Sequence, residues 1–304
     1  MDTGRIITYL RAFRVNQWLK NLVVFTAIIF SGQLFDIHTF SMCVYAFLVF
    51  CILSSASYLL NDIIDYPYDI KHPIKKKRPI AAGLITVPQA TSTVFLMTLA
   101  ALILSIFISI PFFLLSLAYI LLHFFYSLYL KKQPVIDIFT ISFSFMIRTF
   151  AGEIVSGFHI PIWLLLTIFY ISLFMASVKR HAELVVQGKD TRESLGRYKT
   201  HLLDFLTYIF ATATILAYST YTYSPDAVSV TSLGVVSQHF PATETRKWMM
   251  ITIPLVVYGI ARYAQLLYER YEGERPEKVI TTDVPLVITI FLWGVIVIGL
   301  IYVF

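Results

Sequence analysis

Nine stretches of this 304-residue chain are long and apolar enough to cross a lipid bilayer: 19–35, 39–60, 87–108, 110–130, 134–155, 161–179, 202–222, 247–268 and 284–304. No other feature narrows the choice of folds so far. Hydrocarbon offers no water to the peptide groups, so a spanning segment must satisfy its own backbone as a helix or join a closed barrel. Barrel strands show weak ten-residue alternation, whereas these runs are longer and rich in Leu, Ile and Phe. The predicted fold is therefore all-α: a polytopic membrane protein with nine transmembrane helices in one domain spanning 1–304. Composition agrees, since 58% of residues are hydrophobic and 14% are charged, against about 25% charged in a soluble domain. That excludes a secreted or cytosolic enzyme, a disordered regulator and a nucleic-acid-binding domain. The first run does not read as a signal peptide, because it lacks a small-residue cleavage site and eight further spans follow.

Residues 1–18 form an N-terminal segment at the membrane interface. Over 4–20, aromatic and aliphatic residues alternate with Arg5, Arg11, Arg14 and Lys20, the pattern of a helix lying in the headgroup layer. With the N-terminus in the cytoplasm, 21 of the 24 Lys and Arg residues fall on the cytoplasmic side. Only Arg246 and Lys247 lie outside, and Arg148 lies within a span. This asymmetry sets the orientation and explains the net charge of +6 without nucleic acid. Cys43 and Cys51 share one apolar run and read as small core residues, not a disulfide or zinc site.

The segment 61–83 carries the clearest chemistry. Asn61, Asp62, Asp65 and Asp69 recur at helical spacing and share one face. Three adjacent carboxylates repel one another unless a cation neutralises them, and an oxygen-only set at a helix end suits Mg²⁺ held partly by phosphate oxygens. Asp62, Asp65 and Asp69 are thus the candidate metal ligands and catalytic residues. Lys75, Lys76, Lys77 and Arg78 follow at once and are placed to bind the outer phosphates of a metal-bridged diphosphate, with Lys75, Lys77 and Arg78 as the candidates for substrate binding.

Three further groups are candidates for substrate binding. Gln17, Lys20 and Asn21 sit at the cytoplasmic start of the first span, where Lys20 either reaches a lipid phosphate or simply snorkels. Trp18 reads as an interface anchor. Asp137 lies near a cytoplasmic helix end, and Arg148 follows three turns later on the same side. A cation halfway along a span is expensive. Arg148 therefore either binds a ligand or pairs with Glu153 or with an acid on another helix. Lys179, Arg180 and Glu183 close the sixth span, with Lys179 and Glu183 on one face. The seven histidines show no metal-ligand spacing; only His181, within the Lys179–Glu183 segment, draws notice.

The motif Asn61-Asp62-x-x-Asp65-x-x-x-Asp69 resembles the first aspartate-rich motif of the UbiA superfamily of intramembrane prenyltransferases. Further segments resemble its decaprenyl-phosphate phosphoribosyltransferase branch: Arg14 through Asn21, His72 through Gly83, Asp137 with Arg148-x-x-Ala-Gly152, Lys179 through Leu184, and Thr191 through Leu195. The resemblance implies a UbiA-like bundle with a polar cavity open to the cytoplasm, in a cell (inner) membrane. It implies Mg²⁺-dependent transfer of 5-phosphoribose from phosphoribosyl diphosphate (PRPP) to a polyprenyl phosphate, releasing diphosphate, for a cell-envelope glycan precursor. The partners are then those two substrates and membrane lipid; whether copies assemble stays open. One departure separates the chain from enzymes that ionise an allylic diphosphate. Their second aspartate-rich motif is here Ser177-Val-Lys179-Arg180-His181-Ala182-Glu183, with a single acid. Prenyl transfer from an allylic diphosphate to an aromatic or other acceptor is the alternative activity. A transporter relay through Asp137, Arg148 and Glu153 is disfavoured, because the acids concentrate at one end of the spans.

Overall fold

The computed structural model describes residues 3–72, 75–187, 198–224, 246–270 and 276–303, and every regular element among them is helical. In chain order these are α1 (Thr3–Phe13), a mixed helix α2 (Val15–Phe30), α3 (Ile37–Asp69), α4 (Val87–Ile108), α5 (Ile110–Leu128) and α6 (Ile136–Ser156). There follow α7 (Ile162–Gln187), α8 (Thr200–Tyr223), α9 (Ile253–Arg270), α10 (Pro276–Thr282) and α11 (Val284–Tyr302). The long helices pack side by side with their sequence neighbours, and α3 also contacts α5 and α6.

Eight helices among the described residues are long and apolar enough to cross a membrane: α3 to α8, the stretch Trp248–Tyr268, and α11. The protein is an integral membrane protein. The ninth expected span, 19–35, takes a different form. Its residues 19–30 fall in α2, which is 3₁₀ over Val15–Phe25 and α-helical only over Thr26–Phe30, and 31–35 form a turn. A 3₁₀ helix rises about 2.0 Å per residue against 1.5 Å for an α-helix, so α2 is roughly 30 Å long despite its few residues. The expected interfacial helix over 4–20 likewise ends early, at Phe13, where Arg14 takes a left-handed conformation with φ 52°.

Such a long 3₁₀ run is uncommon, and its neighbours account for it. A three-residue repeat places Trp18, Asn21 and Val24 in one row facing the bundle. The Trp18 indole donates to Ser55 Oγ at 3.0 Å, so the ring is more than an interface anchor. Asn21 is fully buried, donating to Cys51 Sγ and accepting from Ser54. Val24 lies against α6 at Gly152, where an added Cβ would stand 2.0 Å from the Val24 carbonyl oxygen. Only glycine admits that approach. At the far end the Tyr302 hydroxyl donates to the carbonyls of Ile28 and Ile29 and accepts from Leu34 N–H, satisfying the terminus of α2.

Packing follows membrane rules. Large apolar side chains such as Phe95, Leu96 and Phe107 of α4 and Phe291 of α11 point outward, while small or polar residues fill the contacts: Ala46, Ser54, Ala56, Ala101, Ser105, Ser116 and Ala151. α3 is 33 residues long, about 50 Å, which exceeds a bilayer's hydrocarbon of about 30 Å. Its last turns therefore carry Asn61–Asp69 beyond the apolar zone as continuous helix, despite Pro67.

Candidate active site

Two polar clusters form at the end of the bundle where α3, α5 and α7 finish. The first is the aspartate face of α3. Asp62 and Asp69 are buried, and both accept from one nitrogen of Arg78, which lies 3.1 Å from Asp62 Oδ1 and 2.7 Å from Asp69 Oδ2. Arg14 reaches Asp62 Oδ1 from the other side at 2.5 Å, its guanidinium 5.0 Å above the Tyr58 ring. Asp65 is held separately: Asn61 donates to it at 2.9 Å and Lys131 at 2.5 Å, and Lys131 also donates to the Asn61 side-chain Oδ1. The row Arg14, Gln17, Lys20 follows the 3₁₀ repeat along α2. Lys20 donates to Gln17, and Tyr58 donates to the same Gln17 oxygen at 3.5 Å.

This geometry tests the proposed Mg²⁺ site. No three His, Cys, Asp or Glu groups among the described residues converge as one cluster. Asp62 and Asp69 do converge, on the single Arg78 nitrogen, so a cation already sits where both carboxylates point. Mg²⁺ usually takes one or two carboxylates and completes its shell with phosphate oxygens and water. The oxygen pair fits that habit, while Asp65 is turned to Lys131. Of the basic run, Arg78 reaches the aspartates, Lys75 is half-buried, and Lys76 and Lys77 are exposed.

The second cluster lies where α6 starts and α7 ends. Arg180 is 1% exposed and Asp137 0%. Arg180 Nε donates to Asp137 Oδ2 at 2.6 Å, Nη1 to Glu183 at 2.5 Å and Nη2 to the Tyr126 hydroxyl at 3.0 Å. Tyr198 donates to the other Asp137 oxygen at 2.7 Å and accepts from Val135 N–H at 2.5 Å. Val135 has φ 68°, an outlying conformation for a β-branched residue, and the Tyr198 contact fixes it. Burial and the Asp137 charge push the Tyr198 hydroxyl up from its ordinary range, so it remains a neutral donor. Lys179 is in electrostatic reach of Glu183, Lys20 and Arg180, which brings the predicted lysines of α2 and α7 toward one another.

Arg148 does not join either cluster. It is buried, with Nη1 donating to the carbonyl and hydroxyl of Ser144 and Nη2 to Tyr119. Of the alternatives open in the sequence, pairing with Glu153 does not occur; Glu153 bonds to His159 instead. His181 faces away from the site, toward Asp204 of α8 at 3.1 Å, where Tyr268 also donates. The segment Thr191–Leu195 lies outside the described residues. Sequence reasoning placed Arg14 in the segment that carries the family resemblance, but named neither Arg14 nor Lys131 as a site residue and did not see Tyr119 or Tyr198. The three-residue recurrence of Arg14, Gln17 and Lys20 was a usable signal for the first.

Residues 22–295 match the UbiA prenyltransferase family. The decaprenyl-phosphate phosphoribosyltransferase of Mycolicibacterium smegmatis is 33% identical, covering 93% of this chain and 89% of its own. That of Corynebacterium glutamicum is 34% identical, covering 93% and 83%. Among solved structures, a UbiA homologue from Archaeoglobus fulgidus bound to GPP and Mg²⁺ superposes with a TM-score of 0.71 over 97% of this chain and 99% of that one, at 18% identity. The matched span, the identities and the shared helical architecture agree: the chain belongs to the UbiA prenyltransferase family.

Proposed function

We propose that this protein transfers 5-phosphoribose from PRPP to a polyprenyl phosphate and releases diphosphate, as the names of its Mycolicibacterium and Corynebacterium relatives indicate for them. One observation carries the reading beyond the family: the second cluster is built around a cation. Where a second carboxylate cluster would hold another metal ion, Arg180 is bonded to Asp137, Glu183 and Tyr126, with Lys179 alongside. Arg180 engages both acids, so no second carboxylate pair is left for a further metal ion, and half-buried Lys179 beside it is the cation that a phosphate-bearing substrate meets. Prenyl transfer from an allylic diphosphate is the second reading; the fold likeness to the Archaeoglobus protein is compatible with it, and the single-acid segment speaks against it.

In this reading Asp62 and Asp69 would hold Mg²⁺, with Asp65 held beside them by Asn61 and Lys131. When bound, the ion supplies positive charge to the departing diphosphate. Arg14 and Arg78 exchange from carboxylate to diphosphate oxygens as substrate enters, giving the leaving group fixed donors. The ribose C1–O bond to diphosphate breaks as a lipid phosphate oxygen bonds to C1 from the opposite face. That oxygen is already anionic, so no side chain need remove a proton. Lys20 and Lys179 reduce the repulsion between the two anionic substrates and align them. The reaction would face the cytoplasm in a cell membrane, an orientation supported by the basic residues at this end of the bundle, with the isoprenoid tail reaching the site between helices from lipid.

The test is purified protein in detergent with Mg²⁺, polyprenyl phosphate and radiolabelled PRPP, followed by butanol extraction, beside an Asp65→Asn sample. Label entering the organic phase only with Mg²⁺ and intact Asp65 is the expected result. Absence of transfer by folded protein, with turnover of an allylic diphosphate on an aromatic acceptor, would replace this reading with prenyl transfer.

A further inference from the structure

Arg148 stands apart from the other buried or half-buried arginines among the described residues. Arg14, Arg78, Arg180 and Arg262 each meet at least one carboxylate. Arg148 meets none, although it is 2% exposed. Of its five N–H groups, two go to Ser144 and one to Tyr119, while Nε is buried without a partner. The Tyr119 and Phe145 rings lie 4.8 and 5.3 Å from the guanidinium carbon. Aromatic faces ease a cation's burial but leave its charge unneutralised. A buried charge lacking a counter-ion is destabilising.

The surroundings repeat the pattern. Along α5, Ser116, Tyr119, His123 and Tyr126 recur at three- and four-residue spacing and so share one face of a helix otherwise rich in Leu and Phe. The His123 ring lies 4.4 Å from Tyr119, its Nε2 is buried without a partner, and it is in electrostatic reach of both Arg148 and Lys20. Ser116 Oγ also lacks a partner. The stripe starts at Tyr126, bonded to Arg180, and runs past Tyr119, bonded to Arg148, to Ser116. It forms a polar track from the second cluster into the bundle, past an uncompensated cation.

We propose that Arg148, with His123 and Tyr119, is a phosphate seat inside the bundle. Its Nε–H and remaining Nη2–H are adjacent donors of a planar fork, which suits two oxygens of one phosphate. Resting on the reaction proposed above, the ligand is a phosphomonoester of one of its substrates: the lipid phosphate or the 5-phosphate of PRPP. The seat fixes that substrate while Asp62 and Asp69 engage the diphosphate. Arg148 is then a binding residue and not a structural one.

The experiment measures thermal stability of purified protein in detergent while titrating polyprenyl phosphate, polyprenol, PRPP or inorganic diphosphate against wild type, Arg148→Gln and His123→Phe. Glutamine keeps a donor for Tyr119 or Ser144 and removes the charge. The expected result is an Arg148→Gln protein that melts at or above the wild-type temperature without ligand and binds one phosphate-bearing ligand about tenfold or more weakly. Polyprenol and diphosphate should bind as before, and His123→Phe should shift the same ligand by a smaller factor. Loss confined to polyprenyl phosphate assigns the seat to the lipid; loss confined to PRPP assigns it to the ribose phosphate. An Arg148→Gln protein that binds both ligands normally, or that unfolds where wild type survives, overturns the seat. The transfer assay reads separately, so a seat without turnover and turnover without a seat are distinct outcomes.

Discussion

The aspartate face of α3 and the Arg180 cluster between α6 and α7 share ingredients, carboxylates bonded to arginine, but differ in exposure. Arg14 and Arg78 are 27% and 25% exposed and Asp65 is 27% exposed. Arg180 and Asp137 are sealed. Half-buried cations on carboxylates that still reach solvent can trade partners at a small desolvation penalty, which a site that takes up a metal diphosphate requires. A sealed pair cannot. It fixes where α6 and α7 stand, and removing one partner would leave a bare charge in a dry place. The same chemistry thus serves exchange in one region and rigidity in the other.

The sharpest way to break this contrast is Asp62→Asn. Asp62 bonds both exchangeable arginines, and its loss should lower turnover about a thousandfold, in the range seen when a group acting on developing charge is removed. The melting temperature should move by only a few degrees, because the freed arginines reach solvent. Chelation of Mg²⁺ should reproduce the loss of turnover, again with little change in melting. A large fall in stability for Asp62→Asn would make the aspartate face structural too. Arg180→Met is the mirror experiment. It strands Asp137 and Glu183 and should destabilise the protein by about 3–5 kcal/mol, measured by denaturation in detergent. Wild-type stability with lost activity would move Arg180 into the exchangeable class.

These two regions were unequally legible in the sequence. Asp62, Asp65 and Asp69 announce themselves because helical spacing is local. Their partners Arg14 and Lys131 lie 48 and 66 residues away and carry no local mark of the pairing. Arg180 with Asp137, 43 residues apart, was equally out of reach. The alternation of eight spans was readable from hydropathy alone, whereas α2 was not. Its 3₁₀ winding depends on α6 supplying Gly152 opposite the Val24 carbonyl. Arg148 shows the limit of sequence proximity: Glu153, five residues on, is one of the partners the sequence leaves open, but it turns to His159, and the guanidinium meets hydroxyls instead.

Gly152→Ala probes how the exchangeable region is held. A methyl group cannot coexist with the Val24 oxygen 2.0 Å away, so α2 must shift, at a cost of about 1–3 kcal/mol. Arg14, Gln17 and Lys20 ride on α2, so KM for the phosphate-bearing substrates should rise along with the loss of stability. An alanine variant with unchanged KM would show that α2 does not position the site.

The smallest expected effect separates the sealed cluster's hydrogen bonds from its charges. Tyr198→Phe removes one donor from Asp137 and one acceptor from Val135 N–H, leaving every charge in place. The expected loss is about 1–3 kcal/mol of stability, the penalty for unpaired buried polar groups, with turnover nearly unchanged. Its pH dependence carries a defined sign. Because the Tyr198 pKa is raised in the folded state, the hydroxyl's contribution is constant through neutral pH and declines only as pH climbs past the ordinary tyrosine value of about 10. Denaturation curves of wild type and Tyr198→Phe should therefore run parallel from pH 6 to 9. A difference that grew within that interval would mean that a group other than the phenol sets the pH dependence. In that case the cluster would be open to protons, and the contrast with the aspartate face would fail.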